Sequence, residues 1–123
     1  MRAVRILIVD DSEAIRLILA DALEQQGYRV QTAADGRQAW KLLRDNPLSY
    51  DLVITDVTMP AMDGLELLAR LTADWPRIKV VLITGCADPD LNLRAQMLGA
   101  VAVLSKPCSL EQIQRTLRLA LAT

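Results

Sequence analysis

Four short apolar runs in this chain end on groups that can do chemistry: Asp10-Asp11, Asp56, Thr84 and Lys106-Pro107. Carboxylates can hold a metal ion or accept a transferred group, a hydroxyl can donate to an anion, and an ammonium can balance negative charge. These groups are far apart in sequence, so they form one site only if the fold brings their strand ends together. A parallel sheet with helical crossovers does so, because its strands all point one way and their carboxyl ends share an edge.

The elements that must do this positioning can be read from the pattern. Residues 4–9, 29–32, 52–55, 80–83 and 101–104 are short runs rich in Val, Ile and Leu, with the length and composition of strands. Four of them read as buried strands. The second, Arg29-Val30-Gln31-Thr32, alternates polar and apolar residues and is expected at an edge with one face in water. Helical patterns lie between the runs. Ile15, Ile18, Leu19, Ala22 and Leu23 form an inner stripe that stops at Gly27, a left-handed cap candidate. Ala39, Leu42 and Leu43 mark a second helix, begun at Asp35-Gly36 and ended by Pro47. Leu67, Leu68 and Leu71 mark a third, which ends before Pro76. Asp88-Pro89 supplies an N-cap and first helical position for a fourth, running to Gly99. Ser109 caps a fifth, with Leu110, Ile113 and Leu117 on its inner face. Strand then helix, five times over, predicts an α/β fold with a doubly wound parallel sheet covered on both faces.

Bulk properties narrow the function. At 123 residues and 52% hydrophobic, the chain fits one domain, residues 1–123. Fourteen basic against fifteen acidic residues argue against direct binding of nucleic acid. The apolar stretches fall short of the roughly 18 to 20 residues a membrane span needs, and the amino terminus lacks a signal-peptide pattern, so a cytoplasmic protein is expected. Histidine is absent, which removes imidazole from every mechanism. Cys86 and Cys108 read as reduced thiols. Trp40 and Trp75 read as partly buried packing residues, and Arg115 and Arg118 as a solvated face.

In order along the chain come Asp10-Asp11, the run Thr55-Asp56-Val57-Thr58-Met59-Pro60-Ala61-Met62-Asp63-Gly64, then Thr84-Gly85, and Gly99-Ala100 followed by Lys106-Pro107. With these motifs the chain closely resembles the receiver domain of bacterial response regulators over essentially its whole length. The resemblance implies a flavodoxin-like five-stranded sheet in the order 2-1-3-4-5 with five helices. It implies that Asp56 is the nucleophile, accepting a phosphoryl group as an acyl phosphate. Mg²⁺ would be ligated directly by Asp11 and Asp56, mostly through water by Asp10, and by the backbone carbonyl of Thr58. Three carboxylates so close repel one another and titrate as a coupled set unless a cation relieves them. An all-oxygen donor set with room for water suits Mg²⁺ better than zinc.

The Thr84 hydroxyl and Lys106 ammonium would meet the phosphoryl group, and Gly85 would leave it room to enter. The Lys106-Pro107 bond, often cis in the family, would aim the ammonium into the site. Asp63-Gly64 reads as a turn that starts a helix, and Met59-Pro60 as a loop-shaping pair. Lacking histidine, the chain would receive its phosphoryl group from a sensor histidine kinase or a phosphotransfer protein. The added charge would change the surface of the fourth helix, fifth strand and fifth helix, for an unknown downstream protein or a phosphorylation-dependent dimer.

Three departures from the family pattern stand out. Val103 occupies a position where most receivers carry Tyr or Phe, so the aromatic rotamer switch is missing and the signal is expected to travel mainly through the loop from Thr84 to Pro89. Cys108 replaces the usual Phe after Lys-Pro, and a cross-link to Cys86 would freeze that loop. Thr58 and Cys86 occupy the two variable positions that help govern hydrolysis in the family, and neither can align a water, so a long-lived phosphoryl group is expected. A flavodoxin-type redox module is the rival reading, but Asp10-Asp11 would repel a flavin phosphate. In a phospho-aspartyl hydrolase an acid would stand where Thr58 does. A constitutive receiver-fold scaffold is the remaining alternative.

Overall fold

The apolar runs form strands β1 (Arg5–Val9), β2 (Arg29–Ala33), β3 (Leu52–Asp56), β4 (Lys79–Thr84) and β5 (Ala102–Ser105) in the computed structural model, which describes residues 3–59, 62–85 and 88–122. They alternate with helices α1 (Glu13–Gln25), α2 (Gly36–Asp45), α3 (Gly64–Asp74), α4 (Pro89–Met97) and α5 (Leu110–Leu121). All pairings are parallel and the strand order is β2-β1-β3-β4-β5, the order the resemblance implies.

Each helix begins where a side chain supplies an acceptor for an orphan backbone N–H. Ser12 caps α1, Asp35 α2, Asp63 α3, Asp88 α4 and Ser109 α5, each accepting from the residue three positions on. Gly27 follows α1 with φ of 94° and Gly99 follows α4 with φ of 107°, both in the left-handed region. Asp63-Gly64 is thus the helix start read from the sequence.

Alternation along the strands sends side chains to two cores. Ile6, Ile8, Leu52, Ile54 and Val81 pack with Leu19 and Leu23 of α1 and Ile113 and Leu117 of α5. Leu7, Val9, Val53, Val80 and Leu82 pack on the opposite face with residues of α2, α3 and α4. Trp40 and Trp75, both half-buried, pack at the margin of this second core with ring centroids 5.1 Å apart, and the Arg70 guanidinium lies 5.5 Å from the Trp40 ring. Arg115 and Arg118 are exposed, as expected.

Three sequence expectations are corrected. The fifth run is not a fully buried strand: β5 is the second edge of the sheet, its residues half-buried to exposed. Ile18 is 60% exposed and Leu110 40%, so neither belongs to the inner face of its helix. Both fall on the shoulder of an apolar stripe wider than the face that the sheet covers. Met59 does more than shape a loop, since it is buried in the core with Met62. Pro60 and Cys86 lie outside the described residues, and with Cys86 the proposed cross-link and the middle of the Thr84 to Pro89 loop. No helix of the described residues is long and apolar enough to cross a membrane.

Candidate functional site

The topology brings the ends of β1, β3, β4 and β5 to one edge. Asp10 directly follows β1, which sits between β2 and β3, and Asp56 closes β3 in register with Ile83. Thr84 closes β4 opposite Ser105, and the Lys106 backbone N–H donates to the Thr84 carbonyl at 2.7 Å, fixing the end of β5 to the end of β4. The Lys106-Pro107 peptide is cis.

Asp10, Asp11 and Asp56 each offer one carboxylate oxygen, and these oxygens lie within 4.8 Å of one another. Asp10 and Asp56 are buried, at 5% and 7% exposure, whereas Asp11 is exposed. The Lys106 ammonium reaches into the group, donating to Asp56 Oδ2 at 3.1 Å and lying 3.5 Å from Asp10 Oδ2. Three carboxylates against one ammonium leave surplus negative charge at this edge. Thr84 is buried beside them at the end of β4, and Thr58 is exposed in the loop that follows Asp56. Gly85 is exposed, and a Cβ added there would meet open space among the described residues. Val103 is half-buried on the side of the sheet that faces α3 and α4, in register with Leu82.

Burial pushes the Asp10 carboxyl above the ordinary range; the Ser12 N–H and the Lys106 ammonium oppose this, while the charges of Asp56 and Asp11 reinforce it. For Lys106 burial works against the ammonium, but the hydrogen bond to Asp56 and the charges of Asp10 and Asp56 prevail, so its pKa rises and it stays charged. Burial also raises the pKa of the Cys108 thiol, against the nearby Lys106 charge. Cys108 therefore sits beside the site as a protonated, half-buried thiol packed on the α1 and α5 core.

Two supporting residues, Ser12 and Arg16, are not among the candidates read from the sequence, and Gly64, read there only as part of a helix start, has a further role. The Ser12 N–H donates to Asp10 Oδ1 at 2.9 Å, and an Arg16 guanidinium N–H donates to the Asp10 carbonyl at 2.6 Å, so the first turn of α1 holds the acidic loop in place. Gly64 packs directly on the strand that carries Asp56: an added Cβ would overlap the Asp56 carbonyl oxygen and come within 2.9 Å of Val57 Cα. A helix-capping pattern hints at Ser12, but only the packed structure shows the close approach at Gly64.

The donor set fits a small hard dication. It is composed of carboxylate oxygens at a rim where one member is exposed to water, and it carries more negative charge than Lys106 can neutralise. Asp10, Asp11 and Asp56 are the residues that could hold such an ion. Beside the site, Ile15, Ile18, Pro107, Cys108, Leu110 and Ile113 line an apolar groove that reaches Asp10 and Lys106.

Comparison with known proteins matches these features over most of the chain. Residues 6–118 match the model of the response regulator receiver domain. A probable chemotaxis protein CheY from Rhizobium etli is 38% identical over 114 residues, covering 90% of this chain and 87% of that protein. Sporulation initiation phosphotransferase F of Bacillus subtilis is 34% identical over 111 residues, 89% of this chain and 87% of that protein. Among solved structures, the CheX-CheY-BeF3-Mg complex from Borrelia burgdorferi aligns with a TM-score of 0.93 at 26% identity, over 98% of this chain and 90% of that one.

Proposed function

This chain belongs to the response regulator receiver domain family of two-component signalling, and from that premise we propose that residues 1–123 form a phosphoacceptor switch in which Asp56 takes a phosphoryl group in a Mg²⁺-dependent reaction. The observation that carries this reading is the contact of Asp56 with Lys106 at 3.1 Å inside a cluster of three carboxylates. A carboxylate so placed is held at a strand end on the carboxyl edge of the sheet, with a cation beside it to meet incoming negative charge.

Phosphoryl transfer asks a protein mainly for positioning and charge stabilisation. When bound, Mg²⁺ would neutralise charge on the carboxylates and on the transferring oxygens. Asp56 supplies the attacking oxygen. Lys106 supplies an ammonium that can exchange its contact with Asp56 Oδ2 for a phosphoryl oxygen, and the Thr84 hydroxyl donates to another. Gly85 leaves the approach open. Because the chain has no histidine, a phosphohistidine donor is a partner protein, either a sensor histidine kinase or a phosphotransfer protein. The apolar groove beside Lys106, with Ile18 and Leu110 exposed on its rim, offers that donor a seat next to Asp56.

The chain then acts as a signalling switch that assists its own phosphorylation and dephosphorylation. The new dianion adds about 1.5 to 2 negative charges at the edge, enough to draw Thr84 and Lys106 inward and alter the α4, β5 and α5 surface for a downstream protein. With Val103 in place of a ring, the change propagates mainly through the loop after Thr84.

Incubation with Mg²⁺ and acetyl phosphate should add one phosphoryl mass to the protein and none to the Asp56→Asn variant, and chelation of Mg²⁺ should prevent labelling. Equal labelling of both proteins overturns the assignment of Asp56. The label should be long-lived, because Thr58 offers no acid or carboxamide to align a water; rapid loss in Mg²⁺ contradicts that part.

A further inference from the structure

The two edges of the sheet differ in charge. The carboxyl edge carries Asp10, Asp11 and Asp56 around Lys106, whereas Arg5, Arg29 and Lys79 each begin a strand at the amino edge, where the Asp51 carboxylate accepts from the Arg5 backbone N–H at 2.9 Å. Arg5 and Arg29 are register partners on the adjacent parallel strands β1 and β2, which places their Cα atoms about 4.8 Å apart. Alternation puts Arg5 on the same face as Leu7 and Val9, and Arg29 on the same face as Ala33, which is the α2 side. Two like charges directly across a strand pair are unfavourable unless something offsets them. Among the described residues, no salt bridge to a carboxylate engages either guanidinium.

Between them lies a pocket of about 280 Å³, lined by Arg5, Arg29, Gln31, Ser49 and Tyr50 along with apolar side chains of the two strands. No carboxylate lines it. Every polar side chain there can donate a hydrogen bond: two guanidiniums, an amide and two hydroxyls. Burial raises the Tyr50 pKa, against the Arg5 charge, so its phenol remains a donor at neutral pH. The pocket is slightly below the usual size for a drug-like ligand, which suits a small anion or the charged end of a larger one.

We propose that this pocket is an anion site for a phosphate group, free or as a monoester, clamped between the Arg5 and Arg29 guanidiniums. Paired guanidinium forks match the oxygen geometry of a phosphate, and the anion removes their mutual repulsion. The site lies at the far end of β1 from Asp10, about 13 to 16 Å away for a strand of this length, so it is separate from the phosphoacceptor. It stands whether or not Asp56 is phosphorylated.

The test is an amide-resonance titration of the Asp56→Asn protein without Mg²⁺, using inorganic phosphate, adenosine monophosphate and, as an ionic-strength control, potassium chloride. Saturable shifts centred on Arg5, Arg29, Gln31, Ser49 and Tyr50 support the site. Saturation by inorganic phosphate alone identifies a free oxyanion, and tighter binding of the monoester a phosphorylated ligand. Arg29→Gln, at an exposed position, should weaken binding about tenfold or more, whereas Lys41→Gln, which removes the same charge from α2, should not. Non-saturating shifts, shifts reproduced by chloride, shifts centred on Asp10 and Lys106, or equal weakening by both variants overturn the proposal.

Discussion

Neutralising Asp10 should stabilise the metal-free protein. At an effective dielectric constant of about 20, the Lys106 ammonium 3.5 Å away attracts Asp10 by about 5 kcal/mol. Asp56, within 4.8 Å, repels it by about 3.5 kcal/mol on the same scale, and exposed Asp11 adds about 1 kcal/mol in a more water-like medium. Attraction and repulsion nearly cancel, so what remains is the cost of holding a buried carboxylate out of water, offset in part by the Ser12 N–H. Asn at this position keeps an oxygen to accept from Ser12 and sheds the charge. Asp10→Asn is expected to gain about 1 to 3 kcal/mol, and at about 4 °C per kcal/mol for a chain of this length its Tm should rise by about 4 to 12 °C at pH 7 in chelator.

The pH dependence has a definite sign. The folded-state pKa of Asp10 is raised above its ordinary value of 3.8, so the folded protein binds more protons than the unfolded chain between those two values. The stability penalty is absent below 3.8 and accumulates as pH rises through the folded pKa. The advantage of Asp10→Asn should therefore shrink as pH falls from 7 toward 4. Mg²⁺ should narrow it as well, because a ligand that binds only the folded state stabilises the native protein more than a variant with a weakened site. Thermal melts across pH, with and without Mg²⁺, measure both trends. An unchanged or lower Tm for Asp10→Asn at pH 7 in chelator, or an advantage that is constant down to pH 4, would refute the reasoning.

Lys106→Met should lower metal-free stability by about 1 to 3 kcal/mol, less than for a wholly buried ion pair because the lysine side chain is 31% exposed. It should also enlarge the stabilisation by Mg²⁺ and slow phosphorylation, which melts with and without the ion and labelling time courses would show. Gly64→Ala should cost about 1 to 3 kcal/mol through overlap with the backbone of Asp56, seen as a lower midpoint in urea at an unchanged slope.

The sequence made the acidic edge legible because each of its residues closes an apolar run, and parallel strands leave only one edge on which such residues can gather. Asp88-Pro89 and Ser109 were readable for a similar reason, since capping is local chemistry. Burial was less legible. The run at 101–104 has the composition of an interior strand, yet nothing in composition distinguishes an interior strand from an edge strand whose outer side is left open. Ile18 and Leu110 fit a helical period that records which residues are apolar, not how far the sheet extends beneath them. Gly64 sits at a helix start, where a glycine is ordinary, and its constraint comes from a strand eight residues earlier. The pairing of Arg5 with Arg29 has no trace in the linear sequence, because it exists only in the register of two strands.

The tilted Trp40 and Trp75 pair makes this protein spectroscopically simple. With no Phe and two Tyr in the chain, these two indoles dominate its ultraviolet absorption, and rings 5.1 Å apart can couple as a chiral exciton. Trp40 rides on α2 and Trp75 follows α3 just ahead of the start of β4, at the margin of one core and away from the acidic edge. Their circular dichroism couplet should therefore persist when charge changes at Asp56 and vanish when α2 and α3 separate, giving the melts a built-in marker of global unfolding.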